Sequence, residues 1–167
     1  MNVREAVAAD VAAIAAIHIA AWRAAYRGHM PDTYLDALSM DERRRLWSGV
    51  VTRAGPGRLT VAHVTEEPLG FCYYGPTRDK GEAVAEIYAV NVHPAAWRNG
   101  AGRALCEHAE RHAAALEFPT VTLWVLKANE PARSFYQRLG YVPDGAVRTN
   151  TRLIGAPLDE MRYRKEL

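Results

Sequence analysis

The sequence predicts a mixed α/β (α+β) fold, in which a mostly antiparallel seven-stranded sheet is flanked by helices, in one domain over residues 1–167. Segments of helical periodicity alternate with short runs rich in β-branched residues, and turn residues separate them. Three consecutive strands are joined by turns too short for a crossover helix, which predicts antiparallel pairing. A hydrophobic content of 49% is sufficient for one core in a chain of this length.

The N-terminal third is predicted to contain one strand followed by helices. Val3–Val7 is a short apolar alternation. Asp10 is placed to cap a helix whose apolar positions recur at helical spacing to about Tyr26. Glycine and proline then break this helix, and shorter helices are predicted within residues 34–38 and 43–51.

The middle of the chain alternates β-branched runs with turn residues before a long helical segment. A strand, that helix and a second strand in succession predict a parallel pair at the centre of the sheet. The predicted elements are strands at 58–64, 69–75 and 84–92, turns at 66–68 and 78–82, a helix over Gly102–Leu116 and a buried strand at 120–126.

The C-terminal part is predicted to be a capped helix followed by two strands. Asn129 can cap a helix that tolerates Pro131 in its first turn, and Gly140 stands where a left-handed residue ends a helix. Two further strands, at 141–147 and 158–164, complete the sheet.

Composition argues against several functional classes. A formal charge of +2 gives no reason to expect the broad basic surface that binds nucleic acid. Cys72 and Cys106 have no metal-binding spacing and are predicted to be core residues in a reducing compartment. His108 and His112 are four residues apart, yet no third ligand is evident, so no metal is predicted. No apolar run approaching roughly 20 residues and no secretory leader are recognised, so we predict a cytoplasmic protein without membrane contact.

A glycine-rich turn precedes the long helix and is a candidate anion site. A helix that begins at Gly100–Gly102 has unpaired N–H groups at its positive dipole end, which suits a pyrophosphate. Arg98, Asn99 and Arg103 flank the turn and could add charge-assisted hydrogen bonds. A plain tight connection explains the two glycines equally well.

Two common phosphate-binding motifs do not match this turn. No Lys-Ser/Thr pair follows Gly102, so a P-loop is absent, and Leu105 replaces the third glycine of the dinucleotide fingerprint. The preceding strand also follows a hairpin instead of opening a βαβ unit. A Rossmann-like nucleotide site is therefore a lesser alternative.

The segments WRNGAGRAL (97–105) and ANEPARSFYQRLGYVPDG (128–145) resemble the GNAT superfamily of acetyl-CoA-dependent N-acetyltransferases, of the small bacterial type. Trp97 stands where the family pattern, Gln/Arg-x-x-Gly-x-Gly/Ala, has Gln or Arg. The resemblance implies a sheet that splays between its fourth and fifth strands, with acetyl-CoA as co-substrate in the cleft.

The resemblance also implies a set of cofactor-binding residues. The pantetheine would pair with the fourth strand, the pyrophosphate would lie on the glycine turn, and the tyrosine of the next helix would donate a proton or hydrogen bond to the sulfur. Packing beside Phe135 is the alternative role of Tyr136. The implied set is Val90, Asn91, Val92, Arg98, Asn99, Gly100, Ala101, Gly102, Arg103, Asn129 and Tyr136.

Glu86 is the candidate proton acceptor for the amine, beside Tyr136 as the other catalytic residue. It lies two residues from Tyr88 and four from Val90, hence on the same face of the strand if no bulge intervenes. A glutamate that is ion-paired at the surface of the sheet is the alternative interpretation.

The acceptor site is expected beside the first helix and the last hairpin. Glu86, Tyr26 and Trp22 are the candidate acceptor-binding residues, although the two aromatic residues could equally belong to the core. Arg148 and Arg152 are further candidates, and a solvated hairpin is their plainer interpretation.

The predicted function is direct transfer of an acetyl group from acetyl-CoA to a primary amine in a ternary complex. No cysteine lies at the predicted cleft, so no acetyl-enzyme intermediate is expected. The acceptor is a small molecule or a peptide, and the protein is a monomer or homodimer. The alternative is a CoA-binding module without turnover, acting as a sensor or structural partner.

Overall fold

The computed structural model describes residues 1–53, 55–151 and 153–167. Within them the strands are β1 (Asn2–Glu5), β2 (Arg58–His63), β3 (Pro68–Pro76), β4 (Ala85–Val92), β5 (Thr120–Leu126), β6 (Val142–Asn150) and β7 (Leu158–Glu166). The helices are α1 (Val11–Tyr26), α2 (Asp32–Asp36), α3 (Met40–Thr52), α4 (Ala101–Ala115) and α5 (Glu130–Arg138). Short 3₁₀ turns occupy Ala8–Asp10 and Pro94–Ala96.

The strands form one mixed sheet in the order β1-β2-β3-β4-β5-β7-β6. Neighbouring strands are antiparallel except β4 and β5, which are parallel because helix α4 carries the chain across between them. Parallel pairing is confined to Ala85–Ile87 against Val121–Leu123, and the two strands diverge beyond these residues. The predicted mixed sheet and its splay between the fourth and fifth strands are therefore confirmed.

The two faces of the sheet are covered by different helices. Helix α4 packs through Leu105 against a cluster that includes Ile87 and Leu123. On the opposite face, α1 and α3 cover a cluster that includes Ile14 and Phe71. The ends of β4 and β5 therefore separate between two helical layers, where a cleft can open to both faces.

Helix α1 corrects one expectation. Residues Ala8–Tyr26, which include α1, are long and apolar enough to cross a membrane by length and composition, with a mean hydropathy of 1.3. The prediction that no apolar run approaches the length of a membrane span is therefore wrong by the criteria of length and composition. Ile14 and Ile17 are buried in the protein core, however, so the apolar face of α1 is used in packing against the sheet.

The two ends of α5 match the sequence prediction, whereas the predicted cap of α1 does not form. The Oδ1 of Asn129 accepts a hydrogen bond from the Ala132 N–H at 3.2 Å, and Gly140 has a φ of +90° just after α5. Asp10 stands directly before α1 as predicted, but it does not cap the helix. Its carboxylate instead accepts from the Val7 N–H and from Arg4, because the short 3₁₀ turn brings these groups together.

Candidate active site

The β5-facing edge of β4 loses its strand partner after Ile87. The backbone groups of Tyr88–Asn91 on that edge therefore lack a strand partner and are open to a ligand, since β3 pairs with the other edge, whereas the Val92 carbonyl accepts a hydrogen bond from the Trp97 indole. Val90 and Val92 pack their side chains towards the α4 layer, and the sequence prediction that a ligand follows this edge is compatible with the splay.

A bulge at Tyr88 changes the faces of β4. Tyr73 pairs with Ala89 and Tyr74 with Ile87, so Tyr88 is an extra residue in the strand. Ile87 and Val90 consequently both pack towards α4, which places Glu86 on the face covered by α1 and α3. Glu86 and Val90 were expected to share a face only if no bulge intervened, and they do not share one, because the extra residue reverses the alternation.

The glycine turn leaves backbone donors unpaired at the start of α4. Gly100 precedes the helix with a φ of +85°, and Arg98 also has a positive φ, of 64°. The first helical hydrogen bond runs from the Ala104 N–H to the Gly100 carbonyl at 3.0 Å. The N–H groups of Ala101–Arg103 therefore have no acceptor within the helix and can bind an anion.

Gly102 lets α4 approach α5 closely. A Cβ at this position would lie 3.1 Å from Cζ of Phe135 and 3.7 Å from Cγ2 of Val92. A branched side chain would push the first turn of α4 away from α5.

We expect Gly102→Val to lower the free energy of unfolding by about 1–3 kcal/mol, and to weaken coenzyme A binding at least about 10-fold because the turn is displaced. Urea unfolding and calorimetry measure the two effects. Gly49→Ala is the matched control, since its Cβ would meet nothing within 4 Å. Unchanged coenzyme affinity in a folded Gly102→Val protein would contradict the expectation.

Trp97 closes the loop between β4 and the glycine turn. Its indole N–H donates to the Val92 carbonyl at 2.7 Å, although the side chain is 43% exposed. Trp97 thus ties the end of β4 to the turn, which gives a structural role to the residue that departs from the family pattern. Arg98, Asn99 and Arg103 are exposed around the turn.

Asn129 and Tyr136 lie at the two ends of α5. Asn129 is buried, and its side chain partly offsets the effect of burial on the pKa of Tyr26. Tyr136 is half-buried beside Phe135 and Tyr141, with ring centroids 5.1 and 5.9 Å apart. Burial holds the pKa of Tyr136 well above its ordinary value, so the phenol is a hydrogen-bond donor at neutral pH.

Glu86 is buried in a complete set of hydrogen bonds. One oxygen accepts from the Thr77 hydroxyl at 3.2 Å and from the Arg78 N–H at 2.8 Å, and the other is paired with the Arg78 guanidinium. Glu86 is only 1% exposed, whereas the Arg78 side chain is 60% exposed and covers it from solvent. Glu86 is thus ion-paired, as the alternative interpretation expected, but within the protein instead of at its surface.

The candidate acceptor residues of α1 lie in an aromatic cluster. Trp22 packs against Tyr26, with ring centroids 5.2 Å apart, and against Tyr34 of α2. Burial raises the pKa of Tyr26 to about 12. These contacts account for a packing role of both residues.

Arg148 of the last hairpin is paired with other side chains instead of being free in solvent. The Arg148 guanidinium lies 4.1 Å from the ring centroid of Trp124 and its Nε donates to Glu160 at 2.6 Å. Arg148 is therefore held on the face of β5 that also carries Trp124. Arg152 lies outside the described residues.

The cysteine side chains and His112 pack against other residues of the protein. Cys72 and Cys106 are buried thiols, which confirms their prediction as core residues. His112 packs against Tyr74, with ring centroids 5.6 Å apart. In the part of the chain that the structure describes, no group of three or more His, Cys, Asp and Glu side chains could hold a metal ion.

Sequence reasoning missed the role of Arg78. The sequence predicts only that this residue lies in a turn, yet its guanidinium pairs with Glu86 and lies 4.4 Å from the ring centroid of Tyr88. The charge alone was the available signal, because the β3–β4 turn has to fold back before Arg78 reaches either partner.

Comparison with known proteins agrees with this geometry. Residues 13–141 match the acetyltransferase (GNAT) family model. The chain is 30% identical to the uncharacterized N-acetyltransferase YuaI of Bacillus subtilis, covering 96% of this chain and 90% of that protein. It is 33% identical to a mycothiol acetyltransferase of Streptomyces scabiei, of which it covers 39%, with 74% of this chain aligned.

Solved structures share the fold over the whole chain. The PaiA N-acetyltransferase of Thermoplasma acidophilum in complex with coenzyme A has a TM-score of 0.80 at 15% identity, covering 99% of this chain and 98% of that one. A ribosomal-protein-alanine N-acetyltransferase of Brucella melitensis has a TM-score of 0.74 at 22% identity, with both chains fully covered at 100%. The family match, the relative in Bacillus subtilis and the splayed sheet together establish that this chain belongs to the GNAT family and is an acetyl-CoA-dependent N-acetyltransferase.

Proposed function

We propose that residues 1–167 act as one domain that transfers an acetyl group directly to a primary amine of a small molecule or peptide. The observation that carries the proposal is the unpaired β4 edge, which opens next to the free N–H groups at the start of α4. The edge and the turn present hydrogen-bond donors and acceptors to acetyl-CoA on one side of the sheet. The amine acceptor can reach the same cleft from the other side.

The residues present fit acetyl-CoA. Free N–H groups of Ala101–Arg103 and the guanidinium groups of Arg98 and Arg103 suit its pyrophosphate. The edge of Val90–Val92 suits the amide groups of its pantetheine, and Asn129 and Tyr136 lie on the α5 side of the cleft. Bound there, acetyl-CoA supplies the activated acetyl thioester.

The chemistry requires groups for an oxyanion, a proton and a thiolate. As the amine nitrogen bonds to the acetyl carbon, backbone N–H groups near Asn91 and Val92 would stabilise the negative charge on the carbonyl oxygen. When the carbon–sulfur bond breaks, Tyr136 would give a proton or hydrogen bond to the sulfur. Trp22 and Tyr26 would form part of the cleft wall near the end of β5, where they pack in one apolar cluster with Leu126.

Glu86 would take the proton that the amine loses. Arg78 covers the Glu86 carboxylate, so the proton would reach it through Thr77. The half-buried Thr77 hydroxyl donates to a Glu86 oxygen. A proton that arrives at the Thr77 oxygen can pass on to the carboxylate as the hydroxyl proton moves. Arg78 would keep the carboxylate oriented throughout.

We expect Glu86→Gln to lower kcat roughly 10-fold near pH 7, with recovery towards pH 10, where an alkylamine is already deprotonated. Rates measured between pH 7 and 10 test this. Glu82→Gln is the control, since Glu82 is a nearby acid that pairs with Arg162 instead. Glu86→Gln and unmodified protein with the same pH profile would remove Glu86 from proton transfer.

Thiol release from acetyl-CoA across a panel of amines tests the whole proposal, together with binding of coenzyme A by calorimetry. Intersecting double-reciprocal plots are expected for a ternary complex, whereas parallel plots would indicate an acetyl-enzyme intermediate. Tight coenzyme A binding without turnover of any amine would instead favour a binding module that acts as a sensor or structural partner.

A further inference from the structure

A cavity of about 350 Å³ lies on the α1/α3 face of the sheet. It is bounded by the end of α3, the Gly-Pro-Gly loop before β2, and aromatic side chains of β3 and β4. The lining residues are Val50, Arg53, Gly55, Pro56, Gly57, Tyr73, Arg78 and Tyr88. Its volume is within the range that holds a small ligand.

The position of this cavity links it to the proposed site of transfer. Tyr88 is the bulged residue of β4, directly after the last residue paired with β5. Arg78 forms part of the cavity wall and covers Glu86 from the outside. A molecule in the cavity would therefore lie beside the start of the splay, on the face opposite α4.

The cavity walls are aromatic and closely fitted. The rings of Tyr73 and Tyr88 have centroids 4.9 Å apart. Glycine is needed opposite each, because a Cβ on Gly57 would lie 2.7 Å from the Tyr73 hydroxyl oxygen and one on Gly75 would lie 2.8 Å from that of Tyr88. The small residues keep the two rings, which meet edge to face at an interplanar angle of 62°, in place as an aromatic wall against which an apolar group can pack.

The cavity is lined by basic side chains. Among the described residues that line it, the charged ones are Arg53 and Arg78. Arg53 is exposed and has no ion-pair partner among residues 1–53, 55–151 and 153–167, whereas Arg78 is paired with Glu86. An unpaired guanidinium beside aromatic walls is suited to a carboxylate on a planar apolar body.

We infer that this cavity is the acceptor site and that the acceptor is a primary amine carrying a carboxylate on an aromatic or similarly flat apolar body. The inference rests on the proposed function and adds its substrate class. Arg53 holds the carboxylate, Tyr73 and Tyr88 contact the flat body, and the amine points to the bulge at Tyr88.

Three benzylamines that differ in one substituent test the inference. They are 4-(aminomethyl)benzoate, its neutral amide 4-(aminomethyl)benzamide, and 4-methylbenzylamine. We expect kcat/KM for the carboxylate to exceed that for the amide at least about 10-fold. Arg53→Gln should reduce this ratio to within about threefold of unity, through the loss of rate with the carboxylate alone.

Arg45→Gln is the matched control, because Arg45 is an exposed arginine of α3, the helix that Arg53 caps, and is not among the residues that line the cavity. It should keep the full preference. The Arg53 N–H bonds the Gly49 carbonyl through the backbone, so Arg53→Gln leaves the end of α3 intact, which its melting temperature checks.

The outcomes separate this inference from the proposed function. Acetylation of all three amines without preference for the carboxylate would overturn the inference and leave the acetyltransfer proposal standing. Absence of turnover, with 4-(aminomethyl)benzoate binding that Arg53→Gln abolishes in calorimetry, would support the site and overturn the transfer. Absence of both turnover and Arg53-dependent binding would overturn the inference, and the amine panel described above would then decide the transfer proposal separately.

Discussion

Tyr136→Phe should lower kcat about 100-fold while coenzyme A affinity stays within about threefold of the original, because the change removes only the phenolic oxygen that meets the departing sulfur. The half-buried ring keeps its contacts with Phe135 and Tyr141. Burial raises the pKa of Tyr136 well above its usual value, so the phenol stays protonated through neutral and mildly alkaline pH. The expected kcat of the unmodified protein therefore has no alkaline decline from this group below about pH 10.

Steady-state rates and calorimetric binding give the two measurements. Tyr163→Phe is the control for removing a buried hydroxyl, because Tyr163 belongs to the same core cluster as Tyr141 and its hydroxyl accepts a hydrogen bond from the Gln137 side chain at 3.2 Å. Its kcat should change less than about threefold. Equal kcat values for Tyr136→Phe and the unmodified protein would eliminate Tyr136 as the donor to sulfur.

His18→Gln should remove a large part of the decrease that the free energy of unfolding shows as the pH falls. His18 is 5% exposed, and its Nδ1 accepts from the Trp47 indole at 3.0 Å. Burial, with a smaller contribution from Arg43, lowers the pKa of His18 to about 3. The histidine is therefore buried in its neutral form.

The sign of the effect follows from proton binding. The unfolded histidine has a pKa of about 6.5, so the unfolded state binds more protons than the native state between pH 6.5 and 3. The stability that neutral burial provides is complete above pH 6.5 and declines as the pH falls through this window. The expected decline is about 1.4 kcal/mol for each pH unit.

Urea unfolding of the unmodified protein and His18→Gln at pH 7, 6, 5 and 4 isolates this contribution, since all other acidic and basic groups are common to both. The glutamine amide oxygen can still accept from Trp47, so the fold is retained. The two stability curves should converge as the pH falls. His29→Gln, at an exposed residue, should leave the curve parallel to that of the unmodified protein. Parallel curves for His18→Gln would show that His18 is not the group responsible.

Local patterns predicted most of the fold. Strand β5 has the predicted bounds, 120–126, and α1 ends at Tyr26. Asn129 and Gly140 fulfil the predicted roles at the ends of α5. Each of these features depends on interactions within a few residues, so the sequence contains the full information for them.

Contacts between distant segments were harder to predict. The bulge at Tyr88 depends on how β4 is aligned with β3, and one extra residue there moves Glu86 to the opposite face from Val90. No periodicity in β4 alone reveals such a shift, because the alternation is read along one strand and the bulge is defined by its partner.

The sequence by itself determined the order of strands and helices, the family, and the turn whose backbone N–H groups can receive a pyrophosphate, since all of these depend on short-range patterns and motif spacing. Only the tertiary structure decided that Arg78 covers Glu86 and that Arg53 joins two tyrosines around a cavity. These residues belong to separate segments, and the folding of α3 and the β3–β4 turn onto one face of the sheet brings their charges and rings together.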